Sequence, residues 1–168
     1  MSLLRPIRFL AKALTAESTS RQLALGLAMG VVIGLVPKGN LIAVLLTTML
    51  CASKVNLGAG MLTAFLCSWL GPLVDPLTHR IGLSLLTSRP LQPMWTAFAD
   101  APLAAWTRFN NTVVLGSLVL GAALFYPAYR SSQPLFARYA PQIGDRLRRF
   151  RVVQVLWGTG MAGRLVHE

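Results

Sequence analysis

Charge is scarce in this chain, and negative charge scarcer still. Charged residues make up 12% of its 168 residues, against about a quarter in an ordinary water-soluble domain. Histidine is limited to His79 and His167, far apart, and cysteine to Cys51 and Cys67 inside apolar runs. No metal-ligand spacing surrounds these residues, so no metal site is expected and the cysteines read as buried free thiols. A single central histidine with a single nearby aspartate is too little for a nucleophile–base constellation. No Ser-His-Asp order and no phosphate-cradling soluble loop occurs. The chain is therefore expected not to be an enzyme and to carry no cofactor.

What remains is apolar and basic. Over half of the residues are apolar (54%), and sixteen Lys and Arg against five Asp and Glu leave a net charge of +11. In an apolar chain such an excess points to membrane orientation and anionic-lipid contact rather than to nucleic acid. The length suits one membrane domain, 1–168. It divides into an N-terminal surface segment (1–20), a broken-helix core (21–87), an interfacial loop (88–109), a spanning helix (110–129) and a basic tail (130–168). Arg5, Arg8 and Lys12 flank Leu3, Ile7, Leu10 and Leu14 at helical spacing, the pattern of an amphipathic helix lying on a membrane. The tail repeats that character, with Arg146, Arg148, Arg149 and Arg151 followed by Val152 to Trp157. The apolar run after the basic front meets no small-residue cleavage site, so the N-terminus is expected to be retained.

The core turns on Pro37-Lys38-Gly39-Asn40, a polar break between two apolar runs. The runs, Leu23 to Val36 and Leu41 to Ala52, are short for a membrane: fourteen residues rise about 21 Å, against about 30 Å of hydrocarbon. A re-entrant hairpin with the break at its tip is expected, since Arg21 and Lys54 then share the cytoplasmic side. Two tilted short helices are the other solution. Val55 to Val74 is long enough to span and ends at Gly71-Pro72. Asp75-Pro76 reads as the start of a new helix carrying His79 and Arg80. Basic ends and a poorly charged loop at 88–109 place both termini in the cytoplasm.

Small residues recur every fourth position in two places. Gly26, Gly30 and Gly34 precede Pro37, and Gly60, Ala64 and Ser68 precede Gly71 and Pro72. Such stripes let helices approach closely, and two units each ending in a polar break suggest the discontinuous helices of transporters.

These residues also resemble a family. Gly26-x3-Gly30-x3-Gly34-x2-Pro37-Lys38-Gly39-Asn40, then Asn56, Trp69-x2-Pro72 and Ile81-Gly82, is similar to the membrane family catalogued as domain of unknown function 2062, over about residues 20–87. The family pattern usually carries Asn-Pro after the tryptophan, where this chain has Gly71-Pro72. The resemblance implies a small bacterial inner-membrane protein and no particular activity.

The chemistry then rests on the polar residues of the core. Lys38, Gly39, Asn40, Asn56 and Arg80 are the expected binding set for a lipid-linked phosphate, an anionic lipid or a small anion. Asp75 and His79 are the expected coupling or gating groups. Pro37, Gly71, Pro72 and Pro76 mark the breaks. The expected function is binding or transport of such a group. The alternative is a non-catalytic scaffold whose glycine stripes grip a second copy or another membrane protein. Anionic lipids are the expected partners, and nucleic acid is not.

Overall fold

Thr19 opens the first helix by accepting from the Gln22 amide while the Gln22 side chain accepts from the Thr19 amide, a reciprocal capping box. The computed structural model describes residues 18–149, with side chains through residue 139. The expected surface helix at the N-terminus and the tail beyond residue 149 lie outside the described residues. Every regular element described is helical. In order these are α1 (Ser20–Leu35), α2 (Leu41–Ala52), α3 (Leu57–Thr87), a 3-10 turn (Arg89–Leu91), α4 (Gln92–Ala99), α5 (Ala104–Thr107) and α6 (Thr112–Arg149).

The short apolar runs form short helices. At 1.5 Å per residue α1 rises about 24 Å and α2 about 18 Å. Asn40 and Asn56, both buried, begin α2 and α3 by accepting from the amides of Ala43 and Ala59. The Asn56 amide donates to the Gln22 carbonyl at 3.1 Å, which brings the chain back to the start of α1. Residues 20–56 therefore run up α1, turn at Pro37–Asn40 and return along α2. Arg21, in the first turn of α1, and Lys54, just after α2, therefore lie toward the same end of this pair.

α3 corrects the sequence reading. It is continuous across Gly71, Pro72 and Pro76, with no break and no new start at Asp75. A proline in a helix interior costs about 3 kcal/mol in isolation, yet α3 is held along both halves by neighbours. Its first half lies parallel to α1 and its second half antiparallel to the start of α6. The prolines remove the usual helical donors to the Ser68 and Pro72 carbonyls, and the helix continues around them. α6 is likewise longer than the expected span at 110–129, passing through Pro127 and Pro134 to Arg149. Region 88–109, expected as an interfacial loop, holds two short helices and a 3-10 turn. Trp95 Nε1 and Gln92 Nε2 donate to the Leu85 and Leu86 carbonyls at 3.0 and 2.5 Å, closing the end of α3.

The two stripes of small residues face each other. A side chain at Gly26 would strike the Asn56 carbonyl, one at Gly30 the Gly60 carbonyl and Thr63, and one at Gly34 Ala64 and Cys67. The Ser68 hydroxyl lies 3.4 Å from the Gly34 carbonyl, 34 residues earlier, the same offset that separates the stripes. Their repetition is thus the register of a parallel helix pair. α3 and α6 meet as closely at Gly82 on Thr112 and Gly116 on Thr78, and α6 reaches α1 at Gly121 on Val32. Small residues therefore form the helix contacts, beside buried aliphatics such as Ile33 and Leu50. Leu50, Val36, Thr78 and Ser117 are the largest fully buried side chains, while Phe65, Trp69, Leu73 and Leu77 lie exposed along α3, Trp69 by 74% and Leu73 by 78%.

Candidate functional site

α1 ends at the polar tip, where its last carbonyls lack helical donors. Lys38 turns back onto them. Its ammonium donates to the carbonyls of Ile33 and Val36, the latter at 2.8 Å, and more loosely to Gly34 at 3.4 Å. A cation is favourable there, because a helix C-terminus carries partial negative charge. The side chain is exposed over its length, but its head is half-buried. Lys38 lies in the connection between α1 and α2, outside both long helices.

The tip is built to hold this turn. Gly39 has φ +84°, the left-handed region where a side chain is strained, and open space surrounds it. Asn40 Nδ2 donates to the Pro37 carbonyl at 2.7 Å while its Oδ1 caps α2. One side chain thereby joins the end of the break to the start of the next helix.

An open pocket of about 170 Å³ lies where this tip meets α3. It is lined by Gly34 to Lys38 on one wall and by Ser68, Gly71, Pro72 and Asp75 on the other. The Pro37–Lys38 turn and the Gly71–Asp75 stretch of α3 therefore share one cavity. Among the described residues the Asp75 carboxylate has no hydrogen-bond or ion-pair partner. The cavity thus holds a lysine on one wall and a carboxylate on the other, with no ion pair between them.

Other expected site residues fall elsewhere. Asn56 lies at the opposite end of α1, where its amide nitrogen donates to the Ser18 hydroxyl at 2.9 Å. His79 and Arg80 lie further along α3 and do not line the pocket. His79 Nδ1 pairs with the Thr112 hydroxyl at 2.6 Å, joining α3 to the start of α6. Ser68, expected only as a packing residue, lines the pocket as well. Its 34-residue offset from Gly34 was the available signal. The acceptor role of the Ile33 and Val36 carbonyls had none, because apolar side chains do not reveal where their backbone points.

A second cavity, about 290 Å³ and apolar, opens between α1, α2 and α6 around Met29, Met49 and Phe125. Among the described residues no three His, Cys, Asp or Glu side chains gather as a metal site would require.

Comparison with known proteins places the chain. The family model described as "Uncharacterized protein conserved in bacteria (DUF2062)" matches residues 4–142. A Treponema pallidum (strain Nichols) protein, itself described as uncharacterized, is 29% identical over 127 residues, covering 76% of this chain and 78% of that one. No solved structure matches. The chain belongs to the DUF2062 family, and the match extends well beyond the 20–87 core on which the resemblance rested.

Proposed function

We propose that this member of a bacterial family is a multi-pass protein of the inner membrane that binds the phosphate-bearing head of a lipid at the Lys38 pocket. The membrane part of this reading is supported by the distribution of side chains. A soluble helical bundle buries its large apolar residues and shows water its polar ones. Here glycine, alanine and serine form the helix contacts beside buried aliphatics such as Ile33 and Leu50, and large apolar side chains cover the outside of α3. Two helices, Leu57–Thr87 and Thr112–Tyr139, are long and apolar enough to cross a membrane, yet only 22% and 28% of their most apolar windows are buried. The core helix of a soluble protein would be mostly covered. Exposed apolar surface on this scale suits contact with lipid chains.

In this arrangement α1 and α2 form a re-entrant pair, too short to cross alone, against the full spans of α3 and α6. The base of the pair and the later part of α6 lie toward one end, in keeping with both termini in the cytoplasm. The pocket then sits at the tip of the short pair, bordered by apolar surface, where a lipid head reaches it without leaving the membrane. Lys38 supplies the positive charge for a phosphate. Passage of the lipid between leaflets is the transport form of the same reading.

The scaffold alternative drew its support from the glycine stripes. Those faces are occupied within the chain itself, by α1 on α3 and α3 on α6, so binding at the pocket is the better supported reading. The test is the lipid retained by purified protein. Native mass spectrometry is expected to show a co-purifying phospholipid that is lost in Lys38→Met. Equal lipid occupancy in the two proteins would contradict the site.

A further inference from the structure

We propose that the pocket selects a zwitterionic headgroup, one carrying both a phosphate and a primary ammonium. This rests on the headgroup reading above and specifies its chemistry. The two walls of the cavity differ in sign. The α1 wall carries the Lys38 ammonium, held by the Ile33 and Val36 carbonyls and only loosely by Gly34 at 3.4 Å. Its third N–H is the one most readily redirected to a ligand. The α3 wall carries Asp75, unpartnered among the described residues, together with Ser68 and Pro72. Pro72 and Pro76 deprive the Ser68 and Pro72 carbonyls of their normal helical donors. That wall is therefore rich in acceptors and poor in donors.

A simple anion entering this space meets Lys38 but also a carboxylate of like charge. A simple cation meets Asp75 but also an ammonium. A head bearing both charges satisfies both walls at once. Its phosphate takes the Lys38 N–H now directed at the Gly34 carbonyl, and its ammonium donates to Asp75 and the proline-freed carbonyls. The volume of about 170 Å³ equals that of about six water molecules, room for a small headgroup and not for acyl chains. A quaternary ammonium has no N–H to donate, so a choline head loses the contacts that an ethanolamine head makes.

The experiment titrates delipidated full-length protein in detergent with short-chain phospholipids bearing ethanolamine, glycerol or choline heads. The ethanolamine lipid is expected to bind at least tenfold more tightly than either of the others. Asp75→Asn removes no contact made within the fold, and is expected to abolish that preference while glycerol-head binding persists or improves. Lys38→Met is expected to weaken all three. Soluble glycerophosphoethanolamine is the competitor that separates sources: displacement of the lipid shows that the head alone suffices, and failure to compete shows that the site needs a lipid-borne head. Glycerol-head binding as tight as ethanolamine-head binding in the native chain, still lost in Lys38→Met, would overturn the zwitterion assignment alone. A preference that survives Asp75→Asn would also overturn it. Binding that is absent throughout, or unchanged in Lys38→Met, would overturn the headgroup reading as well.

Discussion

The glycines of this chain do different work at different positions, and substitution should separate them. Gly30 lies against the Gly60 backbone and Thr63, leaving no room for a side chain, whereas no other helix lies within 4 Å of a side chain at Gly71. Gly30→Val is expected to destabilise by about 1–3 kcal/mol through overpacking. Gly71→Ala is expected to change stability by less than about 1 kcal/mol, because the entropic gain over a helical glycine is opposed by the crowding of a new Cβ against the Pro72 ring that follows. Thermal melts of the two purified variants should therefore differ, with Gly30→Val clearly the lower, and equal melting would contradict the packing. Asn40→Ala should cost about 1 kcal/mol as a lost cap and also leaves the Pro37 carbonyl without its donor. Asn40→Asp keeps the cap acceptor but turns a second oxygen onto the Pro37 carbonyl at a buried site, and should also melt below the native chain. At this scale the sequence made Lys38 and Asn40 conspicuous, since a lysine and a cap between apolar runs need a reason. It did not show that Lys38 bends back onto its own helix, because that depends on where three carbonyls point.

Among the elements, α3 is where pattern and structure part. The apolar runs at 23–36, 41–52 and 55–74 correspond to real helices, since composition and length govern what forms in an apolar chain. Gly71, Pro72 and Pro76 looked like breaks because a proline removes a helical hydrogen bond wherever it stands. Whether the helix then ends depends on its neighbours, and α1 and α6 hold α3 on either side of these residues. The prolines act on the pocket instead, by freeing carbonyls on its wall. Pro76→Ala is accordingly expected to leave helicity unchanged or slightly raised in circular dichroism, and to weaken ethanolamine-head binding several-fold. Unchanged affinity would mean that the freed Pro72 carbonyl takes no part. The stripes of small residues were visible in sequence as a repeat. Their meaning as the facing surfaces of a parallel pair became clear only once Asn56 was placed beside Gln22.

For the molecule as a whole, the organisation is that of a bundle turned outward. Backbone meets backbone at Gly26, Gly30, Gly82 and Gly116, and the bulky side chains displaced from the centre lie on the surface. In water that exposure is unfavourable by about 25 cal/mol for each Å² of apolar surface; among lipid chains the penalty disappears. Low charge and high apolar content already pointed this way in the sequence, but they could not say which face of α3 looks outward. Trp69, exposed by 74% between Phe65 and Leu73, now provides that direction and the most direct test. With Trp95, Trp106 and Trp157 changed to phenylalanine, the remaining Trp69 fluorescence is measured in vesicles whose acyl chains carry bromine. Strong quenching by the brominated chains and little by aqueous iodide is the predicted result. Quenching by iodide with indifference to the brominated chains would place α3 in water and contradict the account.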